Sequence, residues 1–189
     1  DAFRGRVVVP VRDGQARIEG FIGRDVTGDP RAAKYRNPTL TATFDKSRFL
    51  YRPTRHRLAN DGHAIVVEGV MDALAMTAAA AERGQLNAYA PVTTSGLAVS
   101  RVQAMKVSAI SRNPVVLALD GDDAGATGTA RWADMLVTQL GGQAESVRFL
   151  AGLDPAEWLS LHGLAGIDAF RERVPVPQVD RSIAMEVAR

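Results

Sequence analysis

The sequence predicts an α/β protein: a roughly four-stranded parallel sheet with helices on both faces, preceded by a small β-rich basic subdomain. Three observations carry that prediction. From residue 64 onward, short apolar runs alternate with segments of helical length, the pattern of right-handed βαβ units in a sheet covered on both sides. Before residue 58 the chain shows β-branched runs and turn residues instead of a helical period. Charge divides at the same place. Residues 1–57 carry 13 of the 23 basic side chains and 6 of the 21 acidic ones, a net of +7, against −5 in residues 58–189.

Each element has its own warrant. Arg6-Val7-Val8-Val9-Pro10-Val11 is a β-branched run, and Asp13-Gly14-Gln15 turns it into a second strand over 17–25, with Ile18, Gly20 and Ile22 on one face. Residues 27–45 are polar and rich in Pro, Asn and Thr, a surface loop that presents Lys34, Tyr35, Arg36 and, next to it, Lys46. Residues 53–63 form a connector through Asn60-Asp61-Gly62. Ala64-Ile65-Val66-Val67 is the first sheet strand, and a helix follows from about Met71 to Gly84. A strand over 88–92, a helix over 98–110, the strand 115–119, a helix over 124–140 and a strand over 144–149 complete the series. Residues 174–177 break regular structure. The division expected is 1–57, 58–173 and a tail or linker over 174–189, and an Asp at position 1 suggests a segment of a longer protein.

Composition narrows the function classes. At 189 residues the chain is long enough for a sizeable core without staples, and 46% hydrophobic with 23% charged residues is ordinary for a globular protein. With no cysteine there is no disulfide, thiolate zinc site, iron–sulfur cluster or cysteine nucleophile. No apolar run approaches the ~20 residues of a membrane span and no signal peptide opens the sequence, so a cytoplasmic protein with no membrane partner is expected.

In an open parallel sheet, ligands gather beyond the carboxyl ends of the strands. Three strands here run into acids: Glu68-Gly69-Val70-Met71-Asp72, Asp120-Gly121-Asp122-Asp123, and Asp154-Pro155. A lone Asp at such a place is usually a helix cap. Capping does not explain a whole group of acids at one sheet edge, since like charges 4 Å apart repel by about 4 kcal/mol at an effective dielectric of 20. An all-oxygen donor set favours a hard cation, Mg²⁺ or Mn²⁺, completed by water and substrate phosphates.

Those paired acidic motifs resemble the TOPRIM fold, shared by primases, topoisomerases and some nucleases. Upstream, Phe3-Arg4-Gly5-Arg6-Val7, Pro10, Asp13, Gly20-Phe21, Gly23-Arg24, Lys34-Tyr35, Phe44-Asp45-Lys46 and Leu50-Tyr51 resemble the catalytic core of bacterial DnaG-type primases, and Ser95-Gly96 and Arg131 fit as well. The likeness runs from about Phe3 to His162. It implies DNA primase activity, a DNA-directed RNA polymerase that makes short primers on single-stranded DNA by two-metal nucleotidyl transfer. Glu68, Asp120 and Asp122 would then be catalytic, with Asp72 and Asp154 widening the metal-binding cluster. Arg24, Lys34 and Lys46 would belong to the basic face for the template and the nucleoside triphosphates, with Tyr35 stacking on a base or packing. A replicative helicase would be met through regions outside this sequence.

The sequence also departs from the family. Asp154-Pro155-Ala156 stands where Asp-Pro-Asp is common, so one acidic ligand is missing unless Glu157 replaces it; Asp123 stands where a basic residue is usual; and the zinc-ribbon template reader has no cysteines here. Two alternatives follow. One is a TOPRIM nuclease or topoisomerase, the latter needing a nucleophile from among Tyr35, Tyr51 and Tyr89. The other is a non-catalytic nucleic-acid-binding module of a larger replication or plasmid-transfer protein. His56, His63 and His162 read as surface or capping residues, Trp132 and Trp158 as packing residues, and Thr93-Thr94-Ser95-Gly96 as a capping turn.

Overall fold

The computed structural model describes residues 3–13, 15–37, 45–149 and 152–176. Gly14 of the expected turn, residues 38–44 of the expected loop and residues 177–189 of the expected tail lie outside the described residues. In the N-terminal region β1 (Arg6–Arg12) pairs antiparallel with β2 (Ile18–Asp25), from Arg6 opposite Asp25 to Arg12 opposite Ile18. The segment read as loop contributes a two-residue β3 (Tyr35–Arg36), which sets Tyr35 opposite Arg24. The expected buried face is only partly right. Ile22 is fully buried, but Ile18 is half exposed, because a bulge between Val11 and Arg12 interrupts the alternation of the ladder.

The main sheet comprises β4 (His63–Val66), β5 (Tyr89–Val92), β6 (Val115–Leu117), β7 (Ala144–Ser146) and β8 (Val174–Pro175), in the order β5-β4-β6-β7-β8. The first four run parallel, as expected. The sheet has five strands rather than four, because Val174–Pro175, read as irregular, pairs antiparallel with β7. Its proline sits on an edge strand, where a missing N–H costs no ladder bond. The helices are α1 (Val70–Glu82), α2 (Arg101–Ser108), α3 (Asp123–Ala133) and α4 (Pro155–His162), followed by a 3₁₀ segment over Gly163–Arg171. Two helices are shorter than their sequence signals. Ser100 caps α2, accepting the Gln103 N–H at 3.1 Å, and beyond Ala133 the third helix loosens into a π-helical turn over Asp134–Gln139.

Strand alternation sorts the core into two layers. Ile65, Val67, Val116 and Ala118 pack with α1, α4 and the 3₁₀ segment, in one cluster with Val9, Val11 and Ile22 of the small sheet. Ala64, Val66, Val92, Val115 and Leu117 pack with α2 and α3, around Trp132. The helices thus cover both faces. A reciprocal pair of backbone bonds between Tyr51 and Thr93, at 2.8 and 3.0 Å, ties the basic region to the carboxyl end of β5. Among the described residues no helix is long and apolar enough to cross a membrane.

Candidate active site

The sheet brings its acids together by register. β4 pairs with β6 so that Val66 lies opposite Leu117, and the Ala118 N–H donates to the Val66 carbonyl at 2.8 Å. The residues just beyond, Glu68 and Asp120, therefore leave neighbouring strand ends. The Thr93 hydroxyl donates to the Glu68 carbonyl at 2.6 Å and fixes the turn that carries it. Gly121 exchanges backbone hydrogen bonds with Leu153 (2.9 Å) and Gly152 (3.1 Å), which hangs Asp154 beside the same edge. α3 begins so close to this strand end that a Cβ at Gly125 would overlap the Asp120 carbonyl.

A cleft of about 330 Å³ opens there, lined by Glu68, Asp72, Asp120 and Asp154 together with Arg24, Lys34 and Tyr35. Asp72 is almost fully buried, at 6% exposure, and accepts the Gly69 N–H at 2.9 Å and the Ala156 N–H at 3.3 Å. Gly69 is needed for room rather than for a sharp turn. Its backbone is extended, but a Cβ would stand 2.8 Å from the Asp72 Oδ2 and 3.4 Å from the Tyr35 hydroxyl. Tyr35 in turn carries Arg24, whose guanidinium carbon sits 4.9 Å from the ring centre.

The electrostatics follow from crowding. Burial, then the charges of Glu68, Asp72, Asp154 and Asp122, push the Asp120 carboxyl up to about 7. Burial first and Asp154 second push Asp72 up to about 6, against the pull of the two backbone N–H groups. Glu68 is raised by burial and by Asp122, and eased by a hydrogen bond with Asp120 and by the nearby Lys34 charge. Asp120 Oδ1 is buried with no hydrogen-bond partner among the described residues, an acceptor in want of a positive charge. The donor set is all oxygen, and it fits a hard cation. Among the described residues no three His, Asp or Glu side chains close on one point as a finished cage. Mutual repulsion holds uncompensated carboxylates apart, and Mg²⁺ sites commonly take one or two carboxylates and fill the rest with water and phosphate.

Two expected residues stand differently. Asp122 is exposed, caps α3 by accepting the Gly125 N–H at 2.7 Å, and lines not the cleft but a second hollow that it shares with Asp120, while its charge still reaches Glu68. Lys46 does not enter the cleft. It lines a separate groove with Ser47 and residues 94–100, where its carbonyl accepts from Gln103. Asp154 combines both uses, lining the cleft and capping α4 through the Glu157 N–H at 2.7 Å. Glu157 reaches back to the Asp154 N–H at 3.4 Å. Ser160 lines the cleft and was not singled out from the sequence, although a helix capped at Asp154 sets 156, 157 and 160 on one face. Tyr51 and Tyr89 are buried in the core, and Arg171 donates to the Tyr89 hydroxyl at 3.0 Å.

Comparison with known proteins falls on the same two regions. Residues 1–57 match the family "DNA primase catalytic core, N-terminal domain", and residues 65–159 match "Toprim-like". A DNA primase of Synechococcus elongatus is 33% identical over 182 residues, 93% of this chain and 25% of the relative; one of Deinococcus radiodurans is 36% identical over 172 residues, 89% and 28%. The chain therefore spans about a quarter of the length of the curated relatives it matches. Among solved structures, an Aquifex aeolicus primase fragment with zinc-binding and RNA polymerase domains superposes with a TM-score of 0.74 at 28% identity, over 93% of this chain and 42% of that one. A DnaG primase catalytic domain bound to single-stranded DNA gives 0.75 at 29% identity, over 96% and 59%.

Proposed function

The chain belongs to the Toprim-like family and carries the TOPRIM domain of a DnaG-type DNA primase, and from that premise we propose that it is the catalytic core of a primase that makes RNA primers on single-stranded DNA in the cytoplasm. The single observation that carries the reading is the cleft in which Glu68, Asp72, Asp120 and Asp154 meet Arg24, Lys34 and Tyr35. Residues 1–57 serve as the basic subdomain and 58–173 as the catalytic domain, to whose sheet Val174–Pro175 adds the edge strand. Glu68 and Asp120 would hold Mg²⁺ or Mn²⁺, with Asp72 and Asp154 behind them and Asp122 at the outer wall. When bound, such ions activate the attacking 3′-hydroxyl and offset charge on the pyrophosphate leaving group.

The protein's own side chains do the rest. Lys34 and Arg24 place two positive charges in the same cleft as the carboxylates, to take the phosphates of a nucleoside triphosphate or of the template. Burial and the neighbouring acids raise Asp120 to about 7 and also raise Glu68, so a divalent ion held between these carboxylates would favour their charged forms. Lys46 serves the template strand at a distance from the chemistry, and a replicative helicase is engaged through other parts of the protein. Topoisomerase chemistry is disfavoured, since Tyr51 and Tyr89 are buried and Tyr35 is held under Arg24.

The test is primer synthesis by the full-length protein with Mn²⁺, wild type against Glu68→Gln. Loss of synthesis with retained fold is expected. Synthesis at the wild-type rate overturns the reading.

A further inference from the structure

Outside the acidic cleft, the densest unexplained chemistry is cationic. A groove of about 500 Å³ lies between the far end of the β1–β2 ladder, the segment 48–55 and the C-terminal half of α2, and Arg12, Arg48, Arg52, Arg55 and Lys106 all line it. It is not an extension of the catalytic site. β2 delivers Arg24 to the cleft and Glu19 to this groove, five residues and roughly 17 Å apart along the strand.

These cations are anchored mostly to neutral oxygens. Arg12 donates to the Ala16 carbonyl at 2.9 Å, Arg52 to the His56 carbonyl at 2.8 Å, Arg55 to the Asp13 carbonyl and Lys106 to the Arg48 carbonyl. Such bonds fix the side chains in place, and a carbonyl does not neutralise the cation it accepts from. Arg52 Nε is moreover buried with no hydrogen-bond partner among the described residues. The local acids are few or engaged. Asp13 holds Arg17 at 2.7 Å and the Gln15 and Arg17 N–H groups, and Asp45, beside the groove and near Arg48 and Lys106, accepts from Ser47. Among the described residues the groove is lined by two carboxylates, Asp13 and Glu19, against five cations.

We infer that this groove is a second phosphate-binding site, separate from the acidic cleft, that takes the phosphates of a nucleic-acid strand or of a free polyphosphate. Preset guanidinium groups suit phosphate oxygens, to which arginine donates in pairs. The site works without a divalent ion, which separates it experimentally from the catalytic reading.

The experiment measures binding of a fluorescent oligothymidylate by anisotropy, and of inorganic triphosphate by calorimetry, both in EDTA. Arg48 is exposed and Glu19 makes no side-chain hydrogen bond among the described residues, so neither substitution removes an anchor. Arg48→Glu should weaken binding about fivefold at low salt and flatten the salt dependence, whereas Glu19→Gln should tighten it about twofold. The same ratios are expected in a Glu68→Gln background, so failure of the catalytic proposal leaves this one standing. A response with the oligonucleotide alone assigns the phosphates to a strand, and a response with triphosphate assigns them to a free polyphosphate. If both variants bind both ligands as the wild type does, the inference is wrong.

Discussion

The cleft and the groove are lined by opposite charges and keep them in opposite ways. In the groove, cations are pinned by backbone carbonyls. In the cleft, carboxylates are crowded until two of them, Asp72 and Asp120, titrate near 6 and 7. The difference teaches how each region is expected to respond. The groove presents a positive charge that salt screens, and the cleft is a conditional charge that a proton or a divalent ion completes.

The largest effect should come from removing the conditional charge. Asp120→Asn in the full-length protein is expected to lower primer synthesis by about 10²–10³-fold, while the metal-free variant melts higher than wild type because a repelled carboxylate is gone. Activity loss together with a lower melting temperature would break the comparison, since it would mean that Asp120 is chiefly structural.

Next comes the close approach that builds the cleft. Gly125→Ala forces α3 away from the Asp120 carbonyl and should cost about 1–3 kcal/mol of stability, read by denaturant titration. A neutral result would show that the helix start is not what holds Asp120.

The pH dependence is smaller and has a definite sign. Asp72 and Asp120 rise from an ordinary 3.8 to about 6 and about 7 on folding, so between those limits the folded state binds protons more tightly than the unfolded one. Stability from these groups is present at low pH and is lost as pH rises through 6 and 7. In EDTA the melting temperature should fall by about 5 °C between pH 5 and pH 8, after allowance for the partial exposure of Asp120, and Mg²⁺ or Mn²⁺ should remove most of that slope. A slope that divalent ions leave untouched would place the titration elsewhere.

The smallest effect is expected at Asp122. Asp122→Ala loses an N-cap of about 1 kcal/mol but relieves repulsion on Glu68, so the metal-free melting temperature should move by no more than about 2 °C. A large drop would make Asp122 a cap before anything else.

Much of this was legible in the sequence. Sheet strands buried on both faces read as unbroken apolar runs, so the first acid after each run had to lie at the sheet edge, which located Glu68 and Asp120. Asp72 followed from its place in the first turn of α1. Lys34 and Lys46 come from one basic segment, yet only Lys34 lines the cleft, while Lys46 lines a separate groove with residues 94–100, a separation that no spacing rule predicts. The groove was invisible for a similar reason. Its cations come from β1, the 48–55 segment and α2, which no spacing rule connects.

By itself the sequence determined the alternation of strands and helices, the division of charge and the acids at the strand ends, since all three depend on local periodicity and on which residues tolerate burial. Tertiary structure alone decided how far the acids perturb one another, which cations face them, and that Val174–Pro175 closes the sheet as an antiparallel edge. Those properties depend on distances between segments remote in the chain, and electrostatic and packing energies are functions of distance, not of order in sequence.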